Sequence, residues 1–157
     1  MDARFVPYVE QLDTKLKALA ALDPHDPLAL PSSMCKRGVY LLTESDRHLY
    51  VGRSNRLRAR IGNHCRVSAT EKMASFAFRL AREATGKVKA VYKMGSGGTR
   101  KELMLDPSFV QSFDLAKKRI RAMQVRFVEE EDPVRQALLE VYVAVVLGAP
   151  YNDFDTH

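Results

Sequence analysis

The sequence predicts an α+β fold: a small three-stranded sheet, mixed or antiparallel, flanked by helices. Three observations point there. Two short apolar runs, 38–42 and 49–52, flank a polar link at 43–48, the pattern of a β-hairpin with a loop longer than the tightest kind. Met123, Val125 and Phe127 alternate with Gln124, Arg126 and Val128 and predict a third strand. Most of the remaining chain carries apolar residues at helical spacing.

In order, Val9, Leu12, Leu16 and Leu19 predict an N-terminal helix within 1–22. Prolines at 24, 27 and 31 break it, so 23–34 reads as a linker crossing the surface into the first strand. After the hairpin, Ser54 or Asn55 can cap a helix with Leu57 and Ile61 on its apolar face, and Gly62 weakens its last turn. Met73, Phe76, Ala77, Leu80 and Ala84 predict a second helix near 69–85, stopped by Gly86. Residues 87–94 partly alternate and suit a strand or an extended arm; Gly95, Gly97 and Gly98 make the next segment flexible. Asp106-Pro107 is a helix start, with Phe109, Val110, Phe113, Ala116 and Ile120 as its buried face. The acidic run 129–132 precedes Pro133 and reads as helix-start chemistry rather than a metal cluster. The last helix then covers about 133–147. The whole is expected to be one domain: 1–34 helix and linker, 35–64 hairpin and basic helix, 65–122 insertion, 123–157 third strand, last helix and C-terminal turn.

Composition sets limits on function. At 157 residues, 46% of them apolar, the chain can bury a real core. A net charge of +6 favours an anionic partner. Two cysteines, Cys35 and Cys65, fit a reducing compartment, and no zinc-ligand spacing is present. No secretory signal is expected. The most apolar run, 137–148, is interrupted by Glu140 and is shorter than the ~20 residues of a membrane span. A cytoplasmic protein without membrane contact is the default expectation.

Three features carry chemistry. Arg56, Arg60 and His64 fall at i, i+4, i+8 of the predicted basic helix, with Arg53 and Arg58 nearby. Like charges so spaced cost about 0.2–0.5 kcal/mol per pair, which an anion such as phosphate would offset; a solvated basic face is the plainer alternative. The second is Glu140, the sole residue in 137–147 that is neither apolar nor aromatic. A helix apolar nearly all round is buried, and a buried carboxylate takes a proton, an ion pair or a metal. A third stretch, Lys87, Lys89, Lys93, Arg100 and Lys101 around Tyr92, has the charge and the ring of a nucleic-acid contact.

Gly38-Val39-Tyr40 followed by Tyr50-Val51-Gly52, with Arg60 eight residues past the second glycine and His64 four further on, resembles the GIY-YIG nuclease family. Glu140 on a late apolar helix and Asn152 twelve residues later match the same family. The resemblance covers 38–64 and 123–152; residues 1–34 and 65–122 lie outside it. It implies a GIY-YIG-like fold and a divalent-metal-dependent DNA endonuclease, restriction- or repair-like. It further implies Glu140 as ligand of one Mg²⁺ or Mn²⁺ per site, Arg60 on the phosphate, Tyr40 activating water and His64 assisting, with Tyr50 a further proton-transfer candidate. Gly38, Gly52 and Asn152 would support the site. On pKa alone the order of Tyr40 and His64 reverses. Arg53, Arg56 and Arg58 would contact DNA. Specificity would come from residues 65–122 and the N-terminal helix, from a partner protein, or from preference for a DNA structure such as a branch or flap, and symmetric double-strand cutting would need a homodimer or sequential nicking. The alternative is a nucleic-acid-binding module that keeps the fold without cutting; a Cys65 nucleophile beside His64 is disfavoured, because adjacent helical residues point about 100° apart.

Overall fold

The computed structural model describes residues 1–155. Its strands are β1 (Gly38–Glu44), β2 (Arg47–Ser54) and β3 (Gln124–Glu129). Its helices are α1 (Val6–Val9), α2 (Leu12–Ala21), α3 (Leu57–Asn63), α4 (Ser75–Ala84), α5 (Arg100–Leu103), α6 (Pro107–Arg121) and α7 (Pro133–Leu147). The architecture is α+β, a three-stranded antiparallel sheet flanked by helices. The chain divides into two compact units, Met1–Ile61 with the segment from Met123 on, and Gly62–Ala122.

In the first unit the strand order is β2-β1-β3, and both pairings are antiparallel. The central strand is buried on both faces, with Val39, Tyr40, Leu41 and Leu42 all inaccessible, which is why its sequence is a continuous apolar run. Val39, Leu41 and Val51 share one face and pack with Leu16 and Leu19 of α2 and Leu139, Val143 and Ala144 of α7. The hairpin turn is tighter than the sequence suggests: only Ser45 and Asp46 lie outside the strands, with Ser45 at φ +45°. An irregularity absorbs the mismatch, since Leu42 pairs with Tyr50 while Thr43 pairs with His48. The Thr43 hydroxyl and His48 Nδ1, 3.2 Å apart, close the polar end.

The N-terminal helix is two helices, parted at Glu10 and Gln11. The segment 23–34 does more than link. His25 exchanges both backbone hydrogen bonds with Val125, each 2.9 Å, and its ring stacks on Phe127 at 5.5 Å. The largest correction concerns α7. It is not buried all round: Leu139, Val143 and Ala144 face the core, while Val134, Val141, Val145 and Val146 are exposed. A helix laid on one sheet face buries one stripe, and valines on the other stripe do not reveal that in the sequence. Its ends follow expectation. Asp132 accepts from the Val134 and Arg135 amides, both 2.9 Å, and Gly148 closes the helix at φ +63°.

In the second unit, α4 and α6 pack through Phe78 against Phe109 and Phe113, ring centroids 5.1 and 6.3 Å apart. Helix α4 starts at Ser75, later than its apolar spacing suggests, and Met73 is exposed. The reason is Lys117: its buried ammonium takes the Val67 and Ala69 carbonyls at 2.8 and 3.0 Å and lies 4.7 Å from the Phe113 ring centre. The Ala69 carbonyl thus serves the lysine, and the Met73 amide turns to the Thr70 carbonyl instead of extending the helix back to residue 69. Residues 87–94 form no strand; residues 86–90 are all exposed, and the alternation has no buried face to specify it. Helix α5 was not evident from the sequence, yet Thr99 and Glu102 give it a full capping box. Among the described residues no helix is long and apolar enough to cross a membrane.

Candidate active site

The site gathers around β2, and two glycines make it possible. Tyr40 on β1 pairs with Gly52 on β2. A Cβ on Gly52 would stand 2.3 Å from the Tyr40 hydroxyl oxygen and 2.4 Å from Cζ, so the missing side chain is the slot in which the Tyr40 ring lies. Gly38 has φ +154°, and a Cβ there would be 2.0 Å from the Val128 carbonyl oxygen. Only glycine lets β3 come this close to the start of β1.

Tyr50 lies diagonally from Tyr40 on the same sheet face, ring centroids 6.3 Å apart. Arg60 comes from α3, anchored by buried Leu57 and Ile61. Its guanidinium hydrogen-bonds both phenol oxygens, and the two tyrosines hydrogen-bond each other. Burial pushes the Tyr40 phenol well above its ordinary range; Arg60 pulls it back without cancelling the effect. Tyr50 is raised for the same reason. Burial works against the charge on Arg60, but the two phenols more than offset it, so its pKa rises.

Arg53 and Glu140 form the second half. Arg53 projects from β2 on the α7 side, and its Nε donates to Glu140 Oε2 at 3.0 Å. Burial raises the Glu140 carboxyl, and Arg53, then Arg60, oppose that rise. Two amides hold the frame. The Asn152 side chain accepts from the Val51 amide at 2.8 Å and donates to the Val51 carbonyl at 2.7 Å, serving as an extra rung on β2. Buried Gln136, one turn before Glu140, donates to Asn55 Oδ1 at 3.1 Å and to the Glu130 carbonyl at 2.6 Å, fixing α7 to the start of α3. Sequence reasoning missed Gln136; its signal was a polar residue four positions before Glu140.

The structure therefore brings Tyr40, Tyr50, Gly52, Arg53, Arg60, Glu140 and Asn152 together in the first unit. His64 belongs to the second unit, where it is buried with its ring edge-on to Phe76 at 6.3 Å. The basic residues divide by use. Arg58 donates to the Leu30 and Pro31 carbonyls, and Arg100 lies over the Phe78 ring at 4.3 Å and donates to the Glu71 carbonyl. Lys87 pairs with Asp106 at 3.4 Å across an exposed surface, while Arg56, Lys89, Lys93 and Lys101 are exposed. Among the described residues no three of His, Cys, Asp and Glu come together to hold a metal. Glu140 alone suits an ion that keeps most of its waters, as Mg²⁺ does.

No family model, curated protein or solved structure matches this chain.

Proposed function

We propose that the chain is a divalent-metal-dependent DNA endonuclease of the GIY-YIG type. The observation that carries this reading is the clustering of Tyr40, Tyr50 and Arg60 with the Arg53–Glu140 pair, from four separate elements, around one strand. Residues so far apart in sequence converge on two arginines, one carboxylate and two phenols, a set suited to a phosphodiester.

Arg60 is permanently charged and planar, so it can pair with two phosphate oxygens where a lysine would offer a point charge. Its hold on both phenols aims it before substrate arrives. Arg53 neutralises Glu140 in the free protein and can turn to the incoming phosphate. Tyr40 is the proposed proton acceptor: its phenol first gives its own proton to solvent, which its raised pKa disfavours at neutral pH, and the phenolate then takes a proton from the attacking water, so phenolate formation limits the rate. Glu140 would hold one Mg²⁺ or Mn²⁺ ion, which supplies charge stabilisation for the departing oxygen. Asn152 and Gln136 keep β2 and α7 in register.

Plasmid nicking in Mg²⁺ against EDTA tests this, with Glu140→Ala beside the wild type. Cleavage should require Mg²⁺ and vanish in the variant while DNA binding persists. Cleavage by Glu140→Ala would remove the metal-ligand role. DNA binding with no wild-type cleavage under any divalent ion would leave a non-cutting binding module.

A further inference from the structure

Six tyrosines are present, and Tyr92 alone among them is exposed, at 79%. Its surroundings are unusual. From residue 84 to 101 no acidic residue occurs, whereas Lys87, Lys89, Lys93, Arg100 and Lys101 do. Val88 and Met94 on either side are also turned to water, 68% and 63% exposed. The same segment lines an open hollow of about 620 Å³, formed by Lys87, Val88, Lys89, Val91 and the turn Ser96–Gly98, and Tyr92 directly follows the lining residue Val91. Gly95 and Gly97 adopt φ +83° and +76°, and nothing lies within 4 Å of where their side chains would begin. The turn is pinned at its base: Glu102 accepts from the Gly95 and Thr99 amides, and Gly98 leaves room for Val91, which a Cβ would approach to 3.1 Å.

We infer that this hollow, together with exposed Tyr92 next along the chain from its lining residue Val91, is a binding site for an unpaired stretch of DNA. The inference rests on the nucleic-acid half of the proposed function and names its substrate class: DNA with a single-stranded segment, such as a fork or a flap. Lysines on a flexible segment meet backbone phosphates without reading sequence. An exposed aromatic ring between them offers a stacking face to any base, and base–aromatic stacking is sequence-tolerant. Bases in an intact duplex are already stacked and give Tyr92 nothing to do. The hollow is roomy enough for a nucleotide, and its unobstructed glycine turn lets a backbone approach.

The test uses the full chain in EDTA, so that nothing is cut, and fluorescence anisotropy with a labelled oligothymidine, a blunt duplex and a forked duplex. Wild type should favour the single strand and the fork over the duplex. Tyr92→Ala should weaken single-strand binding by roughly tenfold, within the range for losing one stacked base, and leave the duplex within about twofold. Tyr92→Phe should bind as wild type does. Changing Lys87, Lys89 and Lys93 together to Gln should flatten the salt dependence of single-strand binding by about two in the log–log slope. An equal loss on all three DNAs, no loss from Tyr92→Ala, or an unchanged slope would overturn the inference. The readout is independent of cleavage: a chain that binds forks as described but never nicks refutes the nuclease reading and keeps this one.

Discussion

Replacing Gly52 by alanine tests the central packing idea. The added Cβ would sit 2.3, 2.4 and 2.8 Å from Oη, Cζ and Cε1 of Tyr40. Ordinary carbon contacts are about 3.5–4.0 Å, so the ring must retreat by more than about 1 Å. It has nowhere to go, because Tyr40 is fully buried. Overpacking of this kind costs about 1–3 kcal/mol. Losing the hydrogen bond to the Arg60 guanidinium adds about 1.5–3 kcal/mol where the ring is displaced. Against this, an alanine in a strand entropically stabilises by about 0.4–1 kcal/mol. The net is a destabilisation of about 2–5 kcal/mol, read from urea titration, and a nicking rate lower by about 100-fold from misplacement of the reacting groups. The decisive comparison is the same change in a Tyr40→Ala background. With the ring gone the clash disappears, and Gly52→Ala should become neutral or slightly stabilising, a coupling of at least about 2 kcal/mol. Equal cost in both backgrounds would show that Gly52 is not the slot for Tyr40.

Three further outcomes follow from the same geometry. Asn152→Ala leaves the Val51 amide and carbonyl without their side-chain partner and should cost about 1–3 kcal/mol; a urea midpoint within error of wild type would deny it that role. With Tyr40 as proton acceptor, the raised folded-state pKa means that the phenolate fraction is small at neutral pH and grows with pH. The single-turnover rate should therefore climb about tenfold per unit from pH 7 to 9 without levelling, whereas a plateau above about pH 7 would transfer the role to a histidine. Lys117→Met removes the cation holding the Val67 and Ala69 carbonyls and should speed amide exchange in residues 66–78 at least tenfold; unchanged protection there would refute the account of why α4 starts late.

The strands were legible because their signals are local. Alternation at 123–128 and apolar runs at 38–42 and 49–52 locate the strands, and Asp106-Pro107 and Asp132-Pro133 mark helix starts by chemistry within two or three residues. What failed was non-local. Nothing near residue 69 says that Lys117, 48 positions on, will take its carbonyl. Nothing in the valines of α7 says which stripe meets the sheet. For the site, spacing picked out Tyr40, Arg60 and Glu140 through the family resemblance, and it singled out Gly52 without the reason, which is a contact across two strands. Gln136 escaped because a lone glutamine carries no periodic signal. The basic residues looked alike in sequence; only contacts separate Arg58 and Arg100, spent on carbonyls and a ring, from Lys89 and Lys93.

The hydrogen bonds on the outer sides of β2 and β3 have a consequence for solution behaviour. A sheet of three strands has two open margins, each a template for adding a strand from another molecule. Here Tyr151 and Asn152 occupy one margin through the Leu49 carbonyl and both polar groups of Val51, and His25 occupies the other through Val125. Asn152, which steadies the candidate site, thus also helps guard against fibrous self-assembly. Trimming the chain before Tyr151 would unmask β2, and the shortened protein should gather into strand-swapped aggregates well before its helices melt.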